Sequence, residues 1–266
     1  MNIAAEDPLA FAVVEAIHKG DVESLQRLLE DNPGLATSRL GDPNRCNGRA
    51  RSLLHVATDW PGHFPNGARI VAALTAAGAE VNARSTGPHT ETPLHWAASS
   101  DDVAVLDALL DAGADIEASG AVIGGGTPLA DAVAFGQWQA ARRLVERGAL
   151  TTLWQAAALG LMDRVEKHFA GGDSSGLPRW SPRPARPDAP PPDEITHAFW
   201  CACHGGQRQS AEYLLARGAN LNWIGYDGLT PIDAARRSEA EGLVRWLADA
   251  GAKSAKDINS LISHDG

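Results

Sequence analysis

Glu91-Thr92-Pro93-Leu94-His95-Trp96-Ala97-Ala98, with the segment Val103 to Leu110 that follows, decides how this chain folds. Thr92 carries the hydroxyl of a helix N-cap, and Pro93 occupies the first helical position, where a missing N–H costs nothing. Leu94, Ala97 and Ala98 then give one apolar face, and the two alanines admit a neighbouring helix at close range. A turn at Ser99–Asp102 leads to Val103, Leu106, Leu109 and Leu110, a second helical stripe. Asp111-Ala112-Gly113-Ala114 ends it, with Gly113 suited to left-handed backbone geometry. A helix–turn–helix unit of this size cannot bury its own faces, so it needs copies to stack on.

The copies are present. Thr127-Pro128-Leu129 begins one 35 residues on, and Thr230-Pro231-Ile232 begins another. Gly-Ala pairs close units at Gly78, Gly113, Gly148, Gly218 and Gly251, at spacings of 35, 35, 70 and 33, so the interval of 70 hides a divergent copy. Arg51-Ser-Leu-Leu-His-Val-Ala57 and Thr230-Pro-Ile-Asp-Ala-Ala235 are partial forms of the stretch 92–97. A period near 33 residues carrying T-P-L-H-x-A resembles the ankyrin repeat. The resemblance implies an all-α ankyrin-repeat solenoid of about seven helix–turn–helix units with projecting loops. Units are expected near 7–41, 51–84, 91–120, 126–150, 151–172, 194–224 and 229–255, in one domain over 1–256. A Pro-rich inserted loop at 171–193 and a polar tail at 257–266 complete the division.

Composition narrows the function. The 266 residues carry a formal net charge of −10, which argues against nucleic-acid phosphates and against an anionic membrane surface as partners. Three Cys make no disulfide framework and fit a reducing compartment. With no signal-peptide pattern and no long apolar run, a cytoplasmic, monomeric protein is expected. Eight Trp stand against two Tyr, an unusual ratio.

Departures from the repeat mark candidate sites. The first unit, opening at Asp7-Pro8, lacks the motif and reads as an N-terminal cap. The connection from Asn32 to Arg51 concentrates Arg39, Arg45, Arg49 and Arg51. Asp59-Trp-Pro-Gly-His-Phe-Pro-Asn-Gly67 adds five residues between two helices and brings Trp60, His63 and Phe64. Ser119 to Gly126 is a Gly-rich loop, and Ala149 to Trp154 leaves no room for a projecting hairpin. Seven of the sixteen prolines fall in Gly171 to Asp193, a stretch with no periodicity that either serves a function or lacks order. It is also read as a segment able to fold back over the groove, with Trp180 as its anchor.

The ankyrin resemblance implies that the concave groove and loop tips form the binding face. Counting from the closing glycines places Glu15, His18, Val56, Asp59, Trp60, Trp96, Ser99, Ser100, Asp131, Phe135, Gln155, Leu159, Cys201, His204 and Arg237 along the groove. Arg49, His89, Trp223, Tyr226 and Asp227 fall on the loops. The binding set chosen from these, with the loop residue His63, is Trp60, His63, His89, Trp96, Asp131, Phe135, Cys201, His204, Trp223 and Tyr226. Trp60 and Trp96 lead it, because an outward Trp makes an interface anchor. Trp154 and Trp200 take the place of the motif His and are read as packing.

Cys201-Ala-Cys203-His204 does not read as a metal site, since residues two apart on a helix point to nearly opposite sides. His55 and His95 are read as ties between neighbouring loops. Gly172-Asp-Ser-Ser-Gly176 satisfies the nucleophile-elbow formula but lacks its strand, and Gly124-Gly-Gly-Thr127 lacks the Lys of a phosphate loop. No catalytic residue, metal or cofactor is therefore expected. The chain reads as a protein–protein interaction module. The alternative is a small-molecule-binding protein or enzyme with a site around Trp60, Trp96, Asp131, Cys201 and His204.

Overall fold

Helix starts are set by side chains that take up free first-turn N–H groups. The computed structural model describes residues 2–4, 6–41, 50–171 and 192–262. In it, Asp7 caps α1 (Pro8–Lys19), accepting from the Leu9 N–H at 2.8 Å, and Asp21 caps α2 (Val22–Asp31) through the Ser24 N–H. Contacts divide the chain into two compact units, Met1–Ala149 and Leu150–Gly266. The first continues with α3 (Leu53–Ala57), α4 (Gly67–Ala76), α5 (Pro93–Ser99), α6 (Val103–Asp111), α7 (Pro128–Ala134) and α8 (Trp138–Glu146). Here α3, α5 and α7 pack on one another in succession, as do α2, α4, α6 and α8. Leu53, Leu94, Leu129, Ile70, Leu106 and Leu144 fill the space between the two rows and are fully buried.

The second unit holds α9 (Leu153–Leu159), α10 (Met162–Phe169), α11 (Glu194–His204), α12 (Arg208–Leu215), α13 (Pro231–Arg237), α14 (Glu241–Asp249) and α15 (Ala255–Ile262). Its inner row is α9, α11 and α13, around Phe199 and Trp200. The architecture is the all-α repeat stack, with one small addition. Among the described residues a three-stranded sheet joins β1 (Asn2–Ile3), parallel to β2 (Arg39–Leu40), which runs antiparallel to β3 (Arg51–Ser52).

The inner helices share one device. His95, the third residue of α5, accepts from the Thr92 N–H on Nδ1 at 3.1 Å, with the Thr92 hydroxyl 2.9 Å from the same atom. Because Nδ1 accepts, the neutral ring carries its proton on Nε2, which donates to the Gly126 carbonyl of the next repeat at 3.3 Å. His55 repeats the arrangement, with Ser52 on Nδ1 and the Glu91 carbonyl on Nε2 at 3.0 Å. In α13 the carboxylate of Asp233 accepts from the Thr230 hydroxyl at 2.8 Å and from the Ala255 N–H at 2.8 Å. In α9 the same position belongs to Gln155, whose Oε1 takes both the Thr152 N–H and hydroxyl. This corrects the sequence reading, which gave the motif His position to Trp154. In α7 the position is Ala130, and the buried Thr127 hydroxyl has no hydrogen-bond partner.

Unit ends are equally uniform. Gly78, Gly113, Gly148, Gly218 and Gly251 all sit at φ between 87 and 101°. A Cβ at any of them would meet nothing within 4 Å, so the left-handed backbone, not crowding, demands glycine. Gly171, at φ 85°, follows α10 in the same way and closes the copy hidden in the 70-residue interval. Two further differences from the sequence reading emerge. The polar tail expected from 257 is helical through Ile262, because Ser254 and Asp257 cap α15, the Ser254 hydroxyl donating to the Asp257 carboxylate at 2.6 Å. Most of the Pro-rich segment, with Trp180 and the Gly172–Gly176 formula, lies outside the described residues, as do Arg45 and Arg49.

Burial lowers both motif imidazoles to a pKa of about 4, despite carbonyl partners that favour protonation. The unfolded chain takes up these protons near pH 6.5 and the folded one does not. Their contribution to stability is complete above pH 6.5 and is lost as pH falls toward 4. His95→Gln keeps the cap acceptor, as Gln155 does, but carries no titrating ring. Denaturant melts should show the variant about 1 kcal/mol less stable at pH 7.5 through loss of the bond to Gly126. Its further loss between pH 6.5 and 4 should be smaller than that of the native chain by on the order of 2 kcal/mol.

Candidate binding groove in the first unit

α1 is apolar almost all round. Ala10, Val13 and Ile17 face the core, while Phe11 and Val14 form a second stripe one position round the helix. That second stripe borders a cavity of about 690 Å³, closed on its other sides by Leu40, the loop Ser85–Glu91, Trp96 on α5 and Val122 on the Gly-rich loop. Phe11 is 64% exposed and Val122 39%, so the apolar wall is open to solvent. Trp96 is half-buried and stands edge-on to the His55 ring at 4.8 Å between centroids. Arg51 and Asp59, which form an ion pair, also line the cavity, as does the exposed His89.

Asp59 also accepts from the N–H of Trp60, whose indole is 81% exposed at the tip of the five-residue insertion. The rest of that insertion is fastened down. Phe64 stacks on His18 of α1 at 4.3 Å, and Asn66 donates to the Gly20 carbonyl at 2.9 Å. His63 gives its backbone N–H to the Asp102 carboxylate at 2.8 Å, and its ring Nε2 lies 2.9 Å from the Ser100 carbonyl. The insertion therefore bridges the first and third helix pairs, and His63 serves that bridge.

The model of ankyrin repeats in three copies matches residues 9–119 and again 54–155, more than half of the chain. The chain belongs to the ankyrin-repeat family. Ankyrin repeat domains generally mediate protein–protein interaction. An ankyrin repeat and KH domain-containing protein of Caenorhabditis briggsae is 31% identical over 208 residues, which cover 74% of this chain and 7% of that protein. The chain thus spans a small fraction of that relative's length. The crystal structure of the human ASB11 ankyrin repeat domain is 22% identical, covering 91% of this chain and 98% of that one, with a TM-score of 0.48.

Other expected groove residues of this ankyrin-repeat chain lie elsewhere than the count from the closing glycines placed them. Val56, Asp131, Gln155, Leu159, Cys201 and His204 are all buried, and Phe135 is 47% exposed at the end of α7. Cys201 is enclosed by the second unit, with its sulfur 3.4 Å from His197 Nε2. Burial pushes both its thiol and that of Cys203 far above the ordinary range, so neither is a nucleophile at neutral pH. His204 accepts from Arg237 on Nδ1 at 3.1 Å, and Arg237 pairs with Asp227 at 2.8 Å. Trp223 and Tyr226, expected as loop tips, pack against Trp200 at 6.5 and 5.3 Å. Among the described residues no group of three or more His, Cys, Asp or Glu is placed to hold a metal ion, and no helix is long and apolar enough to cross a membrane. Trp60, Trp96 and Asp131 belong to one unit and Cys201 and His204 to the other.

Asp131 has a different role from the one its position suggested. Its Oδ1 accepts from the Ile123 N–H at 3.1 Å and pins the Gly-rich loop, while Oδ2 is buried with no hydrogen-bond partner. Burial, reinforced by the neighbouring Glu91 carboxyl, raises its pKa to about 7. Between the unfolded value near 4 and this one, the folded chain holds a proton that the unfolded chain has released. Stability therefore falls as pH rises from about 4 to about 7. Asp131→Asn keeps the acceptor for Ile123 and removes the titration. Its stability relative to the native chain should improve across that window, by up to about 4 kcal/mol at pH 8 in denaturant melts.

Proposed function

We propose that the first unit is a protein-recognition module whose groove holds an extended segment of a partner, with an apolar side chain of that segment seated between Phe11, Trp96 and Val122. One observation carries this reading: an open cavity of about 690 Å³ has a continuous apolar wall supplied by residues that the core does not need. Phe11 and Val14 lie off the core stripe of α1, and leaving such a surface wet has no structural return. Trp60, 81% exposed and next in sequence to the lining residue Asp59, is a second apolar contact that an elongated ligand could reach. Of the expected binding set, Trp60, His89 and Trp96 remain in this proposal. Phe135 stays an exposed residue on the same unit with no part in it.

Twelve-residue peptides selected from a random phage-displayed library on the full-length protein test the groove. The peptides recovered should carry a large apolar residue, and Phe11→Ala and Trp96→Ala should each weaken a synthetic copy about 30-fold or more, the level of an interface anchor. Trp60→Ala should have a smaller effect, and Phe135→Ala none. Equal affinity for the native protein and the Phe11→Ala/Trp96→Ala double variant would place the binding face elsewhere.

A further inference from the structure

The Gly-rich loop from Ser119 to Gly126 carries Val122 on the cavity wall and is fastened to the repeats at its ends and at its tip. The ends are tied through carbonyls, Ser119 to Arg84 and Gly126 to His95. The tip is tied by Asp131, which accepts from the Ile123 N–H at 3.1 Å and also draws the N–H of Val122. Asp131 is fully buried, and the side chain of Glu91 hydrogen-bonds to its carboxyl. Two carboxyls bond to each other only while one of them holds a proton, because a carboxylate has acceptors and no donor. The tip is thus held by a proton as well as by two N–H groups. Glycines at 120, 124 and 125 give the loop little resistance to moving once that hold is lost.

We propose that the Glu91–Asp131 carboxyl pair is a proton-operated clasp on the partner groove: protonated, it seats the loop tip and Val122 on the apolar wall, and ionised, it lets the tip lift away. The inference rests on the groove being the partner site and adds how that site is regulated. An apolar segment binds tightly in mildly acidic surroundings and more weakly at and above neutrality. The two N–H groups favour the carboxylate, but burial, with the charge of Glu91 added to it, outweighs them and brings the Asp131 pKa to about 7. With the tip lifted and water admitted, the carboxyl returns to the ordinary range near 4. The closed loop therefore holds the proton more tightly. Its advantage is complete below about pH 4 and is lost as pH rises to about 7, by about tenfold per pH unit in the closed-to-open ratio. The charged groups on neighbouring elements are committed elsewhere. His95 of α5 is neutral and bonded to Gly126, and in α8 Arg142 is exposed while Arg143, Glu146 and Arg147 share ion pairs with one another and with Asp107 and Asp111. Arg84 donates to the carbonyls of Thr90 and Ser119.

Hydrogen exchange of the full-length protein, followed by mass spectrometry over segment 119–126 and corrected for the intrinsic pH dependence of amide exchange, reads the loop without any ligand. Native protection should fall by up to about 30-fold from pH 5.5 to pH 8. Asp131→Asn keeps an acceptor for the Ile123 N–H and does not titrate, while Glu91→Gln removes the charge beside Asp131 and brings an amide donor to it. Both variants hold the loop closed instead of releasing it, and circular dichroism checks that each is folded. Their protection should stay within about threefold across the same range, near the native value at pH 5.5. The leading peptide from the random library, remade with capped ends and no titratable side chain, should bind the native protein up to about 30-fold more weakly at pH 8 than at pH 5.5. Each variant should bind it equally at the two. His89 also lines the cavity, and its titration enters all three proteins alike. Native protection that changes by less than about threefold, or variants that change as much as the native protein, would overturn the clasp whatever the peptide does. A peptide that needs Trp96 but binds equally at both pH values would separate the clasp from partner binding, overturning this inference and leaving the groove reading in place. Protection that follows pH while the peptide is indifferent to Trp96 would remove the groove reading and leave the clasp as a property of the loop.

Discussion

The constraint on which the first unit depends is a single side chain working in two directions. A helix of seven residues leaves most of its backbone groups unpaired at one end or the other. A stack of such helices also needs a polar link between copies that survives burial. His95 meets both demands, because one ring nitrogen accepts from its own cap while the other donates to a carbonyl 31 residues further on. A neutral imidazole in one tautomer carries an acceptor and a donor on one rigid ring. The geometry fixes the proton, and burial keeps a second proton away. His55 shows that the solution repeats, and the partnerless Thr127 hydroxyl shows what the cap lacks when alanine takes the place.

These bridges set the rim of the groove. The carbonyls they take, those of Glu91 and Gly126, belong to the loops that line or border the cavity. Glu91 also accepts from the Ser85 N–H across its own loop, and Asp131 fixes the middle of the Gly-rich loop through Ile123. A loop with glycines at 120, 124, 125 and 126 has little stiffness of its own. Backbone bonds across the loop, from the Gly120 N–H to the Gly125 carbonyl and from the Ala121 N–H to the Gly126 carbonyl, give it its turn, and His95 at one end, Arg84 at the other and Asp131 between them fasten it to the repeats. Val122 is thereby presented to the cavity at a fixed place, and repeat stability and groove shape become one property.

The repeat was legible because its signals are local: Thr-Pro-Leu-His at a cap and glycine at a left-handed position are fixed by the backbone of the residue that carries them. The candidate site was less so, since which inner-helix residues reach solvent depends on what covers them. All seven residues of α9 are buried, as are Thr196 to His204 in α11. A register that assigns outward positions by counting therefore placed Gln155, Leu159, Cys201 and His204 on a surface that loops and neighbouring helices occlude. Asp131 was misplaced for the same reason, hidden by the very loop it holds. Phe11 and Val14 had a visible signal, an apolar stripe beyond the one a two-layer helix needs, but a cap unit with no motif gave no register to read it in. The Ser254–Asp257 box was likewise plain in the sequence and was passed over as tail.

Trp200 shows how far the bridge can be altered and still work. It holds the place of the motif His in α11, and its indole N–H donates to the Leu229 carbonyl at 2.9 Å, the link that His95 makes to Gly126. An indole is longer than an imidazole and has no acceptor, so the exchange has two consequences. The cap of α11 passes to Asp193, which accepts from the Thr196 N–H and hydroxyl in the manner of an ordinary N-cap. The loop ahead of Leu229 must make room, and it does so at Gly225, where a Cβ would lie 2.7 Å from the indole nitrogen. With the backbone drawn in at that point, Trp223 and Tyr226 close over the indole instead of projecting, and His197 completes the cluster at 6.5 and 6.2 Å from them. One enlarged bridging side chain thus accounts for a glycine and for two partly covered aromatics where the repeat pattern led exposed ones to be expected, leaving Asp227 and Gly228 as the exposed part of that loop.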